Sequence, residues 1–472
     1  MSRRLAVVVA VWLTYLIGLG APEIKGEEGR RILPAITMLE TGNWIVPQIG
    51  GEPYLRKPPL VNWLVAASFK LFGARNEMTA RFPSVLCVLA VALAFLTVAR
   101  GSLGETGSLC AALAWLLNFG ILEKGRLIEI EALYVSLFAL ATIWWLSCRQ
   151  QRRSPWLTWL VSSVFLGLGL LAKGPLHLLF FYAIVLAVLW RNGELRALWH
   201  PAHFVGLAIM IGLFAAWAIP YLQTLSGGHV SRVWTRQFSG RLAGEDFQTG
   251  SWLLNFPRSI AYFMPWILLL PFIRLHKILE ARGRRFVEGI ALGAALPFLV
   301  VNLLPGALPR YAMPALVPAC WLIGAAINFA AFDWRLRIGK RGFAVSGRVI
   351  RAIVAVIAIG AAVGFPLAST TFLRHREKIR NVAREIDAAI PADAPLYAVH
   401  PDYQPFLFYL RAKVVYMSAI EHLPPDARYI LVSRKLESIL ESSPRWLPRH
   451  PSPIARVRDY RGVTVTVFRA PE

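Results

Sequence analysis

The stretch "PSVLCVLAVALAFLTVA", residues 83–99, contains no charged side chain. A run of this length and composition is typical of a helix that crosses the hydrocarbon core of a membrane. Similar runs recur along the 472-residue chain, which is 56% hydrophobic. The sequence therefore predicts a polytopic α-helical membrane protein with about 11 to 13 transmembrane helices. The other predicted spans are residues 5–22, 106–122, 132–147, 156–172, 176–190, 204–221, 257–273, 288–304, 311–329 and 349–368.

The basic residues predict the orientation of these spans. The formal net charge is +24, and the basic clusters fall in alternate loops, at Arg3–Arg4, 148–153, 191–196, 274–285 and 335–348. Loops rich in Lys and Arg stay in the cytoplasm, so the loops between them are expected outside. Topology and contact with membrane lipids account for the positive charge, so nucleic acid is not an expected partner. The pattern favours a multi-pass protein of the plasma (inner) membrane with an active face on the extracytoplasmic, periplasmic side.

Two domains are predicted, a transmembrane domain over 1–369 and an extracytoplasmic α/β domain over 370–472. The first includes outer loops 23–80 and 222–256. Two amphipathic stretches of loop 23–80, residues 27–42 and 58–73, predict helices on the membrane surface, the first of them interrupted or restarted at Pro34. In the second domain the pattern predicts one helix and several short strands. The helix covers 375–390, and the strands lie within 394–400, 413–417, 428–434 and 460–470.

Five polar clusters lie near the predicted outer boundary of the membrane. Ionisable groups beside hydrocarbon are unfavourable unless they are paired or face a wet cavity, so several together indicate a site. Each has a simpler interpretation alone: a lysine or arginine can reach for headgroups, and an acid can cap a helix or form a surface pair. Their convergence on one side favours a shared site. The clusters contain Glu27, Glu28 and Arg30; Arg56 and Lys57; Arg126, Glu129 and Glu131; Lys173; and Arg310 and Tyr311.

The order of these clusters resembles one family of enzymes. The chain carries "GNWIVP" at 42–47, "YLRKPPL" at 54–60, "LAKGP" at 171–175, "YFMPWILLLP" at 262–271 and "PRYAMPALVP" at 309–318. This order is similar to that of the type-C glycosyltransferases that use polyprenyl-phosphate or dolichyl-phosphate sugars, the aminoarabinose lipid A transferases and the protein O-mannosyltransferases. The resemblance covers roughly residues 5–330 and implies the type-C glycosyltransferase fold.

The resemblance also implies roles for individual residues. Glu27 stands at the family's catalytic aspartate, and Glu131 at a second carboxylate that opens the fourth span. Lys57 stands at the lysine that meets the lipid phosphate. The other expected substrate-binding residues are Glu28, Arg30, Arg126, Lys173, Arg310 and Tyr311.

The chain departs from the family pattern in two respects. Glutamate replaces aspartate at both Glu27 and Glu131, which lengthens each side chain by one methylene. Arg56 stands where some aminoarabinose transferases have an acid that helps to hold a structural metal, so no such metal site is expected. No nucleotide or soluble cofactor is expected either, which fits the absence of a glycine-rich phosphate loop, and the four cysteines lack a metal-ligand spacing. A divalent metal stays an open alternative.

The residues suit transfer of a sugar from a polyprenyl-phosphate donor. Lys57, with Arg232, Arg236, Arg241 or Arg310, is expected to neutralise charge on the departing phosphate. Glu27 is expected to take the proton of an acceptor, with inversion at the sugar, while Glu131 orients the acceptor or shares the base role.

Several questions stay open from the sequence. The acceptor is lipid A, another lipid, a glycan or a protein. One alternative is a transporter or flippase of a lipid-linked envelope precursor, although transporters place their polar residues near mid-membrane. The other is a non-catalytic relative that acts in envelope assembly.

Overall fold

The computed structural model describes residues 3–225, 230–235, 247–278, 280–338, 341–374, 378–458 and 462–471. These form two compact units. The helical unit contains Met1–Ile17, Arg56–Leu60 and Phe82–Leu367. The mixed unit contains Gly18–Leu55, Val61–Arg81 and Ala368–Glu472, so it combines most of the predicted outer loop 23–80 with the C-terminal segment. The predicted domain boundary at residue 369 stays a prediction.

The chain is mainly helical. Its α-helices are α1 (Arg3–Leu13), α2 (Gly29–Thr41), α3 (Leu60–Phe72), α4 (Glu77–Thr97), α5 (Arg100–Leu116), α6 (Phe119–Lys124), α7 (Ile130–Gln150), α8 (Pro155–Ala172), α9 (Leu176–Asn192), α10 (Pro201–Thr224), α11 (Thr249–Leu253), α12 (Asn255–Ala261), α13 (Ala281–Leu303), α14 (Leu316–Asn328), α15 (Gly347–Thr371), α16 (Ile379–Ala389) and α17 (Arg434–Ser442).

Within the described residues, seven helices are long and apolar enough to cross a membrane. They are α4, α7, α8, α10, α13, α15 and the segment Pro309–Asn328, while α3 and α9 are shorter apolar helices. In α7, 89% of the apolar window is buried, whereas in α15 the share is 28%. Helix α7 is therefore central to the helical unit, and the exposed apolar surface of α15 suits lipid. The predicted fold class, a polytopic helical protein with a small C-terminal α/β part, is confirmed.

Several predicted spans differ from the structure. Helix α1 ends at Leu13, inside the predicted span 5–22, and α5 ends at Leu116, inside 106–122. Instead of a continuous helix over 257–273, the chain forms α12 and then a separate 3-10 helix, Trp266–Phe272. Pro265 and Pro271 lack the backbone N–H that an α-helix needs, so the α-helix does not extend through this stretch.

Helices α9 and α13 approach each other through two glycines. A Cβ on Gly289 would lie 2.6 Å from the Cα of Val188, and one on Gly293 would lie 2.5 Å from the Cα of Ile184. These glycines are four residues apart and so share one helix face. Such spacing lets two membrane helices pack backbone to backbone.

In the mixed unit, α2 runs through Pro34 without a break, so the predicted interruption there is wrong. Pro34 cannot donate to the carbonyl of Arg30 one turn earlier. The buried amide of Asn62 lies 3.4 Å from that oxygen and donates to the carbonyl of Arg31 at 2.8 Å. This side chain supplies a donor where the helix lacks one. Helices α2 and α3 then end before Gly42 and Gly73, which have φ of 73° and 62°.

The C-terminal part of the mixed unit contains a five-stranded sheet in the order β6-β5-β7-β9-β8. Strand β5 is parallel to β6 and β7, while β9 is antiparallel to β7 and β8. Strand β8 was not predicted from the sequence. Elsewhere in the described residues, β1 pairs with β2 and β3 pairs with β4, both antiparallel. The strands are β1 (Gln48–Ile49), β2 (Glu52–Pro53), β3 (Arg335–Ile338), β4 (Arg341–Ala344), β5 (Leu396–Val399), β6 (Val414–Met417), β7 (Tyr429–Ser433), β8 (Ser452–Arg458) and β9 (Thr464–Arg469).

We expect Gly293→Ala to lower the free energy of unfolding by about 1–3 kcal/mol, because its methyl group would force α9 and α13 apart. Thermal unfolding in detergent measures the change. Gly360→Ala is the matched control, since a Cβ there meets nothing within 4 Å. Equal unfolding temperatures for the two variants would contradict a close glycine contact.

Candidate functional site

The helical unit holds a buried carboxylate between two cations. Glu131 lies in the first turn of α7, and its side chain is 8% exposed. Its Oε1 lies 3.1 Å from Lys173 Nζ and 3.2 Å from Arg310 Nε. A carboxylate in such a place is stable only if it is paired, and here two other segments supply the partners. The structure thus brings together three of the predicted site residues.

Aromatic rings complete the surroundings of Lys173. Its ammonium lies 5.0 Å from the ring centre of Tyr134 and 4.8 Å from that of Tyr311. Both distances suit cation–π attraction. Lys173 is therefore held inside the unit rather than extended toward headgroups. Two cations against one carboxylate leave this cluster electropositive, which suits an anionic ligand. We call Glu131, Lys173, Arg310, Tyr134 and Tyr311 the Glu131 cluster.

Buried polar groups fix the turn that carries Arg310 and Tyr311. Ser259 Oγ donates to Asn302 Oδ1 at 2.8 Å and lies 3.2 Å from the carbonyl oxygen of Pro309. The amide of Asn255 donates to the carbonyl of Ala307 at 2.9 Å. These residues were not predicted from the sequence, although a polar side chain within an apolar helix is the signal that could have found them.

His177 fixes the turn that carries Lys173. Its two ring nitrogens each lie 3.0 Å from a backbone carbonyl oxygen, one of Leu166 and one of Gly174. The side chain is fully buried, and its ring meets Tyr134 edge to face at 5.1 Å between centroids. Gly174 has a φ of 122°, a conformation that glycine adopts without strain.

A second charged group precedes α7. Lys124 Nζ lies 3.0 Å from Glu123 Oε1 and 3.1 Å from Glu129 Oε2. Burial opposes the charge on Lys124, but the two carboxylates outweigh it and raise the pKa of Lys124 above its usual value. Arg126 is buried and donates to the backbone carbonyl of Thr14 at 2.9 Å. It therefore ties down the chain that follows α1.

The other predicted cations of the helical unit include Arg56, Lys57 and Arg232. Lys57 is half-buried and follows Arg56, which is exposed. Arg232 lies in the short described segment 230–235, while Arg236 and Arg241 lie outside the described residues. Within the described part of the chain, no three His, Cys, Asp or Glu side chains are grouped to hold a metal ion.

The mixed unit carries Glu27 in a short 3-10 helix, Gly26–Glu28. Its side chain is 42% exposed, and Arg30 Nη1 contacts both carboxylate oxygens at 3.0 and 2.8 Å. The guanidinium of Arg30 also lies 3.8 Å from the ring centre of Tyr403. A Cβ on Gly29 would lie 2.4 Å from the carbonyl oxygen of Tyr403, so glycine permits this close approach. The Glu27 carboxylate is thus accessible to a ligand, while Arg30 holds it in position.

The neighbouring Glu28 is fully buried. Arg81 donates to both of its carboxylate oxygens at 2.9 Å, from Nε and from Nη2. The same guanidinium donates to the backbone carbonyls of Leu19, Pro22 and Glu23. This arrangement secures the chain before the 3-10 helix and directs Glu28 inward. Glu28 was predicted to bind substrate, and its partner Arg81 was not predicted from the sequence.

Comparison with known protein families gives a match over part of the chain. Residues 56–219 match the model of the family described as dolichyl-phosphate-mannose-protein mannosyltransferase. An undecaprenyl phosphate-alpha-4-amino-4-deoxy-L-arabinose arabinosyl transferase of Pseudomonas aeruginosa is 30% identical over 355 residues, which cover 72% of the chain and 62% of the relative. A transferase of the same name from Pseudomonas fluorescens is 27% identical, covering 79% of the chain and 68% of that relative. The chain thus spans less than two thirds of the length of the first relative.

Solved structures match over nearly the whole chain. ArnT from Cupriavidus metallidurans in the apo state superposes with a TM-score of 0.73 at 18% sequence identity, covering 98% of this chain and 97% of ArnT. ArnT bound to undecaprenyl phosphate superposes with a TM-score of 0.71 at 17% identity, with the same coverage. At these identities the match shows a shared fold.

We expect Glu28→Gln to lower the free energy of unfolding by about 3–5 kcal/mol, because it leaves the buried charge of Arg81 uncompensated. Urea or thermal unfolding followed by fluorescence measures the change. Glu40→Gln is the control, since Glu40 pairs with Arg75 at 2.9 Å on the surface. An exposed ion pair of this kind contributes about 0–1 kcal/mol to the free energy of unfolding. A Glu28→Gln variant as stable as the control would show that Glu28 is not structural.

Proposed function

The chain has the fold of the type-C glycosyltransferases and resembles their polyprenyl-phosphate-dependent members in sequence, and from this premise we propose that it is an integral-membrane glycosyltransferase. It moves a sugar from a polyprenyl-phosphate donor to an extracytoplasmic acceptor, with inversion at the anomeric carbon. One observation carries the proposal: the electropositive Glu131 cluster at the start of a membrane helix, where Glu131 lies between Lys173 and Arg310.

The cations suit the leaving group of this reaction. The acceptor attacks the anomeric carbon, the bond from that carbon to the phosphate oxygen breaks, and the electron pair leaves with the polyprenyl phosphate. Charge-assisted hydrogen bonds stabilise the oxygen on which negative charge develops. We assign this role to Lys57 and Arg310, whose side chain is 34% exposed and so retains a face for a ligand.

Glu27 suits the role of the general base. Its carboxylate is accessible, while Arg30 holds both oxygens and Tyr403 supports Arg30. In the proposed step, Glu27 takes the proton from the attacking hydroxyl or amine of the acceptor. Glu131 orients the acceptor or shares the proton transfer. Its contacts with two cations favour the orienting role.

The names of the two transferases similar to this chain supply the first donor to test, undecaprenyl phosphate carrying 4-amino-4-deoxy-L-arabinose. We propose a lipid acceptor, of which lipid A is the first to test, and a plasma-membrane location with the site on the periplasmic side. The distribution of basic loops supports this orientation.

We expect Glu27→Gln to lower kcat for transfer by about 10²–10⁴-fold, because the amide cannot take the proton of the acceptor. Initial rates with the aminoarabinose donor and lipid A in mixed micelles measure the effect. Glu40→Gln removes a carboxylate from α2, the helix that follows Glu27, and should keep the wild-type rate. Full activity in Glu27→Gln would show that Glu27 is not the general base.

We expect the purified protein to retain polyprenyl phosphate, and Lys57→Ala to lose it, because the ammonium neutralises the phosphate. Native mass spectrometry from mild detergent detects the bound lipid. Glu27→Gln should still retain it. Lys277→Ala serves as a control, because Lys277 lies in a loop predicted on the opposite side of the membrane. If neither wild type nor any variant binds the lipid, the transferase proposal fails and a transporter becomes the better hypothesis.

A further inference from the structure

The C-terminal sheet contains a cavity of about 260 Å³ that the proposed reaction does not use. It lies in the mixed unit at the carboxyl ends of β5 and β7. Two chain segments provide most of its lining: residues 399–406, which follow β5, and residues 431–435, which end β7 and begin α17. Val463 and Val465 complete the wall.

The topology of the sheet explains why a cavity forms there. After β5 the chain passes to β6 on one side, and after β7 it passes through α17 toward β8 and β9 on the other side. The two connections therefore diverge above the neighbouring parallel strands β5 and β7. Such a switch point opens a crevice at the carboxyl ends of the strands, and ligands of open α/β sheets bind in that crevice.

The lining combines a mainly apolar floor with a polar rim. Phe406 and Val432 are buried in the floor beside one buried polar side chain, Gln404, whereas Asp402 and Lys435 are exposed at the mouth. This combination suits a small polar ligand with an apolar face, such as a sugar ring. Sites for drug-sized ligands are about 300–1,000 Å³, so this smaller cavity suits one sugar rather than a lipid chain or a peptide.

The charged and polar side chains of the rim further limit the kind of ligand that fits the cavity. The ammonium of Lys435 suits a phosphate, and Ser433 adds a hydroxyl from the N-cap of α17. Among the described residues, the Ser433 side chain makes no capping hydrogen bond to that helix. The carboxylate of Asp402 would repel a bare anion but accepts hydrogen bonds from a sugar hydroxyl or amine. The rim therefore selects a molecule that carries both kinds of group.

We propose that this cavity binds a phosphorylated amino sugar, with its ring over Phe406 and Gln404, its amine at Asp402 and its phosphate at Lys435 and Ser433.

The position of the cavity connects it with Glu27. Tyr403 lies between Asp402 and Gln404 in sequence, and its ring supports Arg30, the partner of Glu27. A ligand in the cavity therefore touches the loop that holds the proposed base. We assign the ligand as the sugar-phosphate headgroup of the acceptor. This assignment rests on the proposed function, whereas the proposal that the cavity binds a phosphorylated amino sugar does not.

The test is binding of glucosamine 1-phosphate to the full-length protein in detergent, measured by isothermal titration and saturation-transfer NMR. We expect saturable binding that Lys435→Ala weakens on the order of tenfold, through loss of a charge-assisted hydrogen bond. Lys413→Ala is the matched control, because Lys413 is also exposed in this unit but does not line the cavity. Inorganic phosphate and uncharged glucose should bind more weakly than the probe.

The absence of saturable binding to the wild type would overturn the proposal. Equal binding by Lys435→Ala and wild type would also overturn it, provided that Lys435→Ala and Lys413→Ala unfold at the wild-type temperature. Because binding is measured without sugar transfer, its failure is distinct from the failure of the proposed function. In an enzyme that transfers sugar, Lys435→Ala should raise KM for the acceptor and leave kcat unchanged. An unchanged KM would overturn the acceptor assignment alone.

Discussion

The pairing of buried carboxylates with cations is the constraint on which the rest of this structure depends. An ionised group in an apolar interior loses the stabilisation of water, and only a close opposite charge with good hydrogen bonds compensates for that loss. Glu131 meets the constraint with Lys173 and Arg310 in the helical unit. Glu28 meets it with Arg81 in the mixed unit. In both, one pair joins segments that are far apart in the chain.

The two adjacent glutamates of the short 3-10 helix have different environments. Glu28 is fully buried, and both of its oxygens accept bonds from Arg81. Glu27 is partly exposed and has one arginine partner, Arg30, which itself rests on the ring of Tyr403. Because Glu28 is rigidly held and the Glu27 carboxylate is partly solvated, Glu27 is fixed in place yet open to a substrate. This division of roles favours Glu27 over Glu28 as the base.

Close backbone approaches organise the chain around these pairs. In the helical unit, Gly289 and Gly293 let α13 lie against α9. In the mixed unit, Gly29 approaches the carbonyl of Tyr403, and Gly51 approaches Tyr416. At Gly29, Gly289 and Gly293 a Cβ would lie within 2.6 Å of backbone atoms, so packing requires glycine there. Gly51 has in addition a φ of 81°, a conformation that favours glycine. The mixed unit thereby builds one body from segments before and after the membrane helices.

The sequence by itself determined the membrane class, most of the helices and the candidate carboxylates, because hydropathy and helical spacing are local properties of the chain. It did not determine which charges pair. Arg81 stands 53 residues from Glu28, and Lys173 stands 42 residues from Glu131, so no local pattern links them. Nor did it show that Asn62 supports α2 through Pro34, or that the connections after β5 and β7 diverge and open a cavity. These features depend on contacts between distant segments, which only the tertiary structure brings together.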